Sequence, residues 1–433
     1  MQPSSPNQGQ DRPDPVGCGA GRRAIVIGGG IVGIASALYL LRDGWRITVI
    51  DPEPPGETTS GGNAGLFALD HVTPVAMPGM LPRVPAMLLD KRSSLTIRWG
   101  YLRRLLPWMV HFLKASTPRR VDAISRALAD MIGGAWDAFQ PLIKDAGAAD
   151  LIRRRGFLVV FRNDRFLTTM KRELDLQRRF DVRFDILADD EVRQLAPALS
   201  PAYTRGIYYP DCAHTIDPKL LVQMLAGELV RKGGEILRRR ATGFEFGPQG
   251  VTAVLSDAGQ HPADLVVLAA GAWSKPLATL LGNRLPLETE RGYHVTLADP
   301  GVDVGLPIAS GDLRFCVSPL APGLRLAGTV EFAGLDAPPD PSRQAVMVEH
   351  AQRMLPGLRL EGTTYWMGFR PSMPDSLPVI GRSSHHANAY FAFGHGHVGL
   401  TLAAVTGRIV ADQAVGRPPA FDLQPFRADR FSC

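Results

Sequence analysis

A glycine-rich turn between two apolar strands constrains the fold of this chain more than any other feature of its sequence. Residues 24–27 are apolar and mostly β-branched, which is typical of a buried parallel strand, and the glycine-rich residues 28–33 follow at once. Residues 34–41 are rich in Ala and Leu and predict a helix, and residues 46–50 predict a second strand that ends at Asp51. A strand, a tight turn, a helix and a strand in this order predict a βαβ unit that binds a dinucleotide.

The glycines in this turn follow the spacing G-x-G-x-x-G. Gly28 permits the tight turn, Gly30 lets a pyrophosphate approach the main chain, and Gly33 lets the helix pack closely on the strand. A helix N-terminus offers free N–H groups and a partial positive charge, so we assign Ile31 and Val32 to the same phosphate site.

Asp51 follows Gly33 by 18 residues, where a carboxylate can accept hydrogen bonds from both hydroxyl groups of a ribose. A carboxylate at this place disfavours a ribose that carries a phosphate, so the sequence argues against NADP. The turn alone leaves NAD and FAD open.

Composition and charge exclude several other classes of protein. The chain has 433 residues, enough for two or three domains. Its 48 Lys and Arg residues against 42 Asp and Glu residues give a net charge of +6, which suits an anionic cofactor, substrate or surface but is too small and dispersed to indicate nucleic acid binding. The four cysteines include no C-x-x-C pair, so we predict no metal site and expect free thiols in a reducing compartment.

Targeting signals bear on where the protein acts. No apolar run reaches the ~18 residues of a membrane-spanning helix, and residues 1–21 are polar and proline-rich, unlike a signal peptide. We therefore expect a disordered tail at residues 1–21 and a cytoplasmic protein. Residues 98–114 mix aromatic and basic side chains, interrupted by Pro107, and predict either a basic amphipathic helix on the inner face of a membrane or a helix with an aromatic core face.

Two further loops have the composition of ligand-binding segments. Residues 58–65 are small and polar, so this loop can lie flat against a planar ring or serve as a surface linker. Residues 394–401 are glycine-rich and lead into a predicted helix that runs to about residue 415, which gives a second helix N-terminus that attracts anions. Between these loops, Asp217 is expected to cap a helix that has Pro218 at its first position.

In this order the motifs resemble the D-amino acid oxidase family of flavoproteins, and within it most closely the bacterial D-amino acid dehydrogenases. The resemblance runs from about Arg23 to Phe431. Its landmarks, besides the glycine turn, are Asn63-Ala64-Gly65, Ala269-Ala270-Gly271, Arg291-Gly292-Tyr293, Gly368-Phe369-Arg370-Pro371 with Pro374-Asp375, and Gly394-His395-Gly396.

The resemblance implies an α/β fold with two discontinuous domains. A Rossmann-like FAD-binding domain would consist of residues 22–75, 217–275 and 365–433. A second, α+β substrate domain would consist of residues 76–216 and 276–364 and would carry a large mixed or antiparallel sheet over the flavin.

The resemblance also implies FAD as the cofactor and assigns residues to it. Beyond the glycine turn and Asp51, it places along the cofactor Ser60, Asn63, Ala64, Gly65, Thr242, Ala270, Gly271, Gly394, Gly396, His397, Gly399, Leu400 and Thr401. The sarcosine oxidase branch of the family binds its flavin covalently through a cysteine near the place of Gly368, whereas Cys316, the nearest cysteine here, lies over 50 residues upstream. We therefore expect the FAD to be non-covalent.

By the same resemblance, an arginine holds the substrate. Arg370 lies in the family's G-[LF]-R-P stretch and would bind the substrate carboxylate with a forked pair of hydrogen bonds, unless it pairs with Asp375 as a structural residue. Tyr293 would either add a hydroxyl group to that carboxylate or pack in the core. His214 would line the pocket or be a hydrogen-bonded structural residue. No residue stands out as a general base.

The chemistry that the resemblance implies is oxidation of a C–N bond. A D-amino acid would lose a hydride from Cα to flavin N5, and the imino acid would hydrolyse to a 2-oxo acid and ammonia. The electrons would pass to oxygen, a quinone or another acceptor. Two alternatives remain open: an enzyme for a cyclic or secondary amino acid, of the D-proline, hydroxyproline, sarcosine or glycine type, and the flavin subunit of a multi-subunit amino acid dehydrogenase.

Overall fold

The computed structural model describes residues 21–78 and 95–431, so the predicted tail lies outside the described residues apart from Gly21. The α-helices are α1 Ile31–Arg42, α2 Leu102–Ala115, α3 Pro118–Gly133, α4 Ala135–Asp145, α5 Arg165–Arg179, α6 Asp189–Leu195, α7 Pro218–Arg231, α8 Ser274–Leu280, α9 Ser342–Met354 and α10 Gly399–Ala414. The strands are β1 Arg23–Ile27, β2 Arg46–Asp51, β3 Leu66–Phe67, β4 Leu95–Ile97, β5 Ile152–Arg153, β6 Phe157–Phe161, β7 Asp185–Leu187, β8 Arg205–Tyr209, β9 Ala213–Thr215, β10 Glu235–Arg238, β11 Ala241–Gly247, β12 Gly250–Ser256, β13 Gly259–Pro262, β14 Leu265–Leu268, β15 Glu288–Asp299, β16 Ile308–Ser310, β17 Phe315–Leu320, β18 Gly323–Ala327, β19 Val330–Phe332, β20 Glu361–Ser372, β21 Val379–Arg382 and β22 Ala389–Phe393.

A six-stranded sheet carries the glycine turn. Its strand order is β10-β2-β1-β14-β22-β21, parallel from β10 to β22, with β21 antiparallel at one edge. Helices α1 and α10 pack against each other on one face of this sheet, and the three-stranded sheet β11-β12-β13 shares a core with the other face. This arrangement confirms the predicted Rossmann-like fold class.

Strand β1 is apolar because both of its faces are buried. Ala24 and Val26 belong to the core beneath the helices, whereas Ile25 and Ile27 belong to the core beneath β11–β13. A parallel strand that is covered on both faces does not alternate between apolar and polar residues, which is why the sequence reads as a continuous apolar run.

A ten-stranded sheet forms the second large layer. Its order is β4-β19-β15-β18-β17-β16-β6-β8-β7, and β20 pairs with β15 beside this path. The pairs β16–β6 and β19–β4 are parallel and the other pairs are antiparallel, so the sheet is mixed, as expected. Strands β15 and β20 are its longest and pair from Glu288↔Ser372 to Asp299↔Glu361.

Two local features differ from the sequence-based expectations. Strand β20 runs through the boundary placed at residue 365, so residues 365–372 lie in the large sheet, because they continue the pairing with β15. The sequence from Gly323 to Val330 looks like one antiparallel strand, but Gly328, which has a φ of +148°, separates it into β18 and β19. The domain boundaries themselves stay predictions.

Helix α2 contains Pro107 instead of ending there. Proline removes one main-chain N–H group, which frees the carbonyl of Arg103 one turn earlier, but both residues are exposed and water can satisfy that carbonyl. Leu105 and Trp108 on the opposite face are buried, and Trp108 packs against Phe332 of the large sheet. The buried side of α2 is therefore the aromatic core face that the sequence left as one of two alternatives.

We predict that the close crossing of α1 and α10 depends on Gly407. A Cβ atom at Gly407 would lie 2.7 Å from the main-chain carbon and oxygen of Ala35, so Gly407→Ala forces the helices apart. Overpacking of this kind costs about 1–3 kcal/mol, and the unfolding midpoint should fall. Gly227→Ala in α7 is the matched control, because its Cβ would meet no atom within 4 Å. The higher helix propensity of alanine should raise the free energy of unfolding by up to ~1 kcal/mol, and the midpoint should rise with it. Equal midpoints for the two variants would contradict the prediction.

Candidate functional site

The glycine turn is a cradle that larger side chains would fill. Gly28 has a φ of +117°, and a Cβ atom there would overlap the carbonyl group of Ala269, which directly follows β14. A Cβ atom at Gly33 would overlap the carbonyl oxygen of Gly28. Glycine is therefore required at both positions by direct contact between strand, turn and helix.

Ser60 lies against the start of α1. Gly30 is the N-cap of the helix, and the N–H group of Ile31 donates to the hydroxyl oxygen of Ser60 at 3.0 Å. A Cβ atom at Gly30 would lie 3.0 Å from the same oxygen. The structure thus brings together three residues assigned to the cofactor on separate grounds, at a helix N-terminus suited to phosphate. Val32 follows in the first turn of the helix.

Asp51 ends β2 beside this turn. Its carboxylate accepts the N–H groups of Gly29 at 2.6 Å and of Glu53 at 2.9 Å. Burial raises the pKa of Asp51, against the effect of these two hydrogen bonds and of Arg240. A carboxylate oriented in this way retains lone pairs for the hydroxyl groups of a ribose.

Thr242 lies in β11, which follows β10 along the chain. The register with β12 shifts between Ala241 and Gly243, so the ladder skips Thr242, and its side chain is exposed. A residue left out of a ladder can offer its main-chain groups to a ligand such as an adenine.

The loop of residues 60–65 is braced by its own asparagine. Asn63 donates to the carbonyl of Ser60 at 2.6 Å and accepts the N–H group of Gly65 at 2.7 Å. Ala64 lies between the two braces, and the chain then enters β3 at Leu66. This bracing gives the loop a fixed shape, as a platform for a planar ring requires.

The large sheet holds the same loop from the other side. Arg325 donates to the carbonyl oxygens of Gly61 at 2.9 Å and Asn63 at 2.6 Å, and burial lowers its pKa to about 10. The Nδ1 atom of His294 lies 2.9 Å from the carbonyl oxygen of Gly62, and its ring stacks on Trp366. The loop therefore lies between the two large sheets.

Two further glycine-containing turns follow strands of the six-stranded sheet. Ala270 and Gly271 follow β14, and a Cβ atom at Gly271 would meet no atom within 4 Å. After β22, Gly394 and Gly396 have φ values of +85° and +52°, and a short 3-10 turn at Gly396–Val398 leads into α10.

The start of α10 reaches the end of the loop. The hydroxyl oxygen of Thr401 accepts the N–H group of Ala68 at 2.9 Å. Gly399 and Leu400 begin the helix, so its N-terminal end faces the segment that follows residues 60–65. The glycine cradle, the half-buried Asp51 and these two helix N-termini together fit an extended dinucleotide such as FAD.

Arg370 lies on β20 directly opposite Glu290 of β15. One of its nitrogens, Nη1, donates to the carbonyl oxygen of Thr329 at 3.0 Å, and a Cβ atom at Gly292 would overlap its guanidinium. Burial lowers the pKa of Arg370. Among the described residues no carboxylate lies within ion-pair distance of Arg370. Asp375, the alternative partner considered from the sequence, binds Arg430 instead, at 2.8 and 3.1 Å.

Tyr293 does not lie beside Arg370. Neighbouring residues of a strand face opposite sides, and Tyr293 lies with Arg291 on the side turned away from the loop of residues 60–65. Its hydroxyl group donates to Glu331 at 2.6 Å and accepts the N–H group of Asp340 at 2.9 Å; burial raises its pKa to about 12. The geometry corresponds to the packing alternative for Tyr293.

His214 is buried in β9 next to Leu66 of β3. Burial, assisted by Arg153 and Arg155, lowers its pKa to about 4, so it is neutral at pH 7. Its Nδ1 atom has no hydrogen-bond partner among the described residues, which departs from the hydrogen-bonded structural alternative. It belongs to the wall behind the loop of residues 60–65.

Glu290 is a site residue that sequence reasoning did not identify. It is 4% exposed, its Oε1 accepts the hydroxyl group of Ser372 at 2.6 Å, and its Oε2 lies 2.8 Å from Nε2 of His397. Burial would raise its pKa, but His397, Ser372 and Arg370 together lower it, so Glu290 is a carboxylate at neutral pH. A charged residue in a strand that is otherwise buried was the signal that could have indicated it.

Comparison with known proteins agrees with this geometry. The family model described as FAD dependent oxidoreductase (DAO) matches residues 23–413. A curated relative named D-amino-acid oxidase, from Bradyrhizobium diazoefficiens, is 38% identical over 95% of this chain and 99% of its own length. Another, D-amino acid dehydrogenase 2 from Mesorhizobium japonicum, is 32% identical over 93% of this chain and 98% of its own length. The crystal structure of glycine oxidase from Geobacillus kaustophilus has a similar fold, with a TM-score of 0.72 at 19% identity, over 94% of this chain and 99% of that one.

The described residues contain neither a membrane-spanning helix nor a metal-binding cluster. None of the helices in residues 21–78 and 95–431 is long and apolar enough to cross a bilayer. No group of three or more His, Cys, Asp or Glu side chains in these ranges is arranged to hold a metal ion.

We predict that replacing Gly30 by Val yields colourless protein. The valine side chain would fill the space that a pyrophosphate needs at the start of α1, whereas acid treatment of the wild type should release intact FAD into the supernatant. Absorbance at the flavin bands measures both results, and Gly133→Ala, whose Cβ would meet no atom within 4 Å, serves as the control. Normal FAD content in Gly30→Val, or flavin that stays with the acid-precipitated wild-type protein, would contradict the assignment.

Proposed function

Because this chain belongs to the DAO family of FAD-dependent oxidoreductases, we propose that it oxidises the C–N bond of a small amino acid whose carboxylate is bound by Arg370. The observation that carries the proposal is the half-buried Arg370 guanidinium, which has one carbonyl partner and no carboxylate within ion-pair distance among the described residues. A cation that is partly removed from water and has no ion-pair partner costs free energy, and an anionic ligand recovers it. The planar guanidinium suits a carboxylate because it can donate two parallel hydrogen bonds.

The protein residues orient the substrate and the cofactor supplies the redox chemistry. When bound, FAD accepts a hydride from the carbon that carries the amino group. Arg370 fixes one end of the substrate on the large sheet, facing the loop of residues 60–65 that we assign to the flavin. Holding the reacting carbon in this way is the main contribution expected of the protein.

For the substrate we propose D-amino acids, oxidised to 2-oxo acids and ammonia. The relatives named D-amino-acid oxidase and D-amino acid dehydrogenase 2 share 38% and 32% identity with nearly the whole chain, which supports this choice over glycine or secondary amino acids. The solved structures of similar fold are less than 25% identical and support the fold alone.

We further propose that one face of α2 docks on an anionic membrane surface, from which a quinone can take the electrons. The exposed side chains of this helix and the turn before it are apolar or basic: Trp99, Leu106, Val110 and Leu113, with Arg103, Arg104 and Lys114. No Asp or Glu occurs between Lys91 and Val121. An apolar stripe flanked by basic residues suits anionic lipid headgroups.

The opposite face of α2 connects this surface to the site. The indole Nε1 of Trp108 donates to the carbonyl oxygen of Ser372, which follows Arg370 by two residues on β20. Docking through α2 would therefore hold the active-site strands next to the lipid.

We predict that Arg370→Lys and Arg370→Ala weaken substrate use in two steps. Lysine keeps the charge but loses the second hydrogen bond, and alanine loses both. A charge-assisted hydrogen bond contributes roughly 1.5–3 kcal/mol, so each step should lower the efficiency of flavin reduction about ten- to a hundredfold. The measurement is anaerobic stopped-flow reduction by D- and L-amino acids, with the D-enantiomers expected to react faster in the wild type.

Arg291→Lys is the matched control for the arginine variants. Arg291 is fully buried, faces away from Arg370 and binds Glu331, so its variant should lose stability without changing the dependence on substrate concentration. FAD content should stay normal in the Arg370 variants. Wild-type efficiency in Arg370→Ala would mean that the carboxylate is held elsewhere.

We predict that the protein sediments with phosphatidylglycerol vesicles but not with phosphatidylcholine vesicles, and that salt weakens the binding. Val110→Gln should lower vesicle affinity about fivefold, because the exposed half of the valine side chain would no longer be available to bury apolar area in the membrane. Val230→Gln in α7 is the matched control, since Val230 and Val110 are similarly exposed, at 53% and 49%. Equal affinity of the two variants, or no binding by the wild type, would contradict docking through α2.

A further inference from the structure

Two opposite charges lie side by side at the site without forming a direct ion pair. Arg370 and Glu290 are directly paired residues on β20 and β15, so both side chains leave the same face of the sheet, about 5 Å apart at Cβ. His397 is the hydrogen-bond partner of one oxygen of Glu290, and no ion pair among the described residues connects a carboxylate to Arg370. A zwitterionic amino acid has the complementary arrangement, with a carboxylate and an ammonium group separated by a single carbon.

Other residues hold each charge in place. The carbonyl oxygen of Thr329 accepts from Arg370, while Ser372 and His397 each bind one oxygen of Glu290. A carboxylate has about four lone-pair positions, so Glu290 can accept a further N–H group without losing these partners.

A small cavity is lined in part by His397. It has a volume of about 20 Å³, enough for about one water molecule, and its lining includes Ser372, His71 and Ser376. Its lining also includes Val75, which is 39% exposed, so the cavity lies between His397 and the protein surface.

We propose that Glu290 receives the ammonium group of the bound amino acid and takes one proton from it, and that His397 holds Glu290 beside the cavity through which this proton reaches solvent. This inference rests on the proposed function. The N–H bond of the ammonium group breaks, an O–H bond forms on the carboxylate of Glu290, and the electron pair stays on the substrate nitrogen. The neutral amine can then expel a hydride from its carbon, which an ammonium group cannot do. Glu290 returns its proton to water, so the step consumes no other reactant.

Two further histidines line this cavity. Burial lowers the pKa of His71, partly offset by Asp70, and burial lowers the pKa of His395, whose Nε2 bonds Thr406, to about 3. Both are therefore neutral at pH 7 and add no positive charge that would hinder the release of the proton.

The test is the pH dependence of anaerobic flavin reduction in Glu290→Gln and His397→Asn. With the proton acceptor in place, reduction should stay fast at pH values where the free substrate is still an ammonium ion. Each variant should be slowed about tenfold or more at pH 7 and should recover toward the wild-type rate as pH rises and deprotonates the substrate itself. A pH-indicator dye should show that proton release, which accompanies reduction in the wild type, is delayed in both variants.

Binding of ligands to the oxidised enzyme gives a readout independent of turnover. Propionate, which has a carboxylate and no amine, should perturb the flavin spectrum of Glu290→Gln at the wild-type concentration or lower. Glu288→Gln is the matched control: Glu288 is the next acid on the same face of β15, but it binds Tyr101 and Lys275, and its variant should keep the wild-type pH profile.

The outcomes separate this inference from the proposed function. If no amino acid reduces the wild-type flavin, the proposed function fails. If amino acids do reduce it but both variants keep the wild-type pH profile, the proton acceptor is not this pair and the inference fails. Should Glu290→Gln fail to fold or to hold FAD, His397→Asn together with Ser372→Ala, which removes one hydrogen bond from Glu290, decides the question by the same shift in profile.

Discussion

The antiparallel pairing of β15 with β20 determines what the site can do. Over twelve residues each, these strands alternate between a face toward the loop of residues 60–65 and a face toward the core of the large sheet. The first face carries Glu290, Gly292 and His294 opposite Arg370, Gly368 and Trp366. Each chemical feature of the site, including the stacked rings and the two opposite charges, follows from this register.

The glycines in the two strands make room for this arrangement. A Cβ atom at Gly292 would overlap the guanidinium of Arg370, and a Cβ atom at Gly368 would overlap the ring of Trp366. Glycine weakens a strand because it has little to pack, so its presence in two long central strands marks a close approach of larger groups. On the core face, Arg291 and Tyr293 bind Glu331 and anchor the same register from behind.

The sequence predicted those parts of the site whose roles depend on local geometry. Gly28, Gly33 and Asp51 act within one strand–turn–helix unit, and Asp217 accepts the N–H group of Leu220 at the start of α7 as expected. Features that depend on long-range pairing were not predictable in this way. A shift of one residue reverses the face of every side chain in a strand, so sequence alone could not decide that Tyr293 faces away from the site.

The sequence did not indicate Glu290 as a site residue for the same reason. The way in which Glu290 is held affects which ligands the site favours. Arg370 and Glu290 would cancel each other if they met, but Thr329 holds the first and Ser372 with His397 holds the second. A plain carboxylate would satisfy only Arg370, and a plain amine would satisfy only Glu290. Leaving a buried charged group without its partner costs about 1–3 kcal/mol or more. A site built in this way therefore favours a ligand that carries both charges on one carbon, which is the defining feature of an α-amino acid.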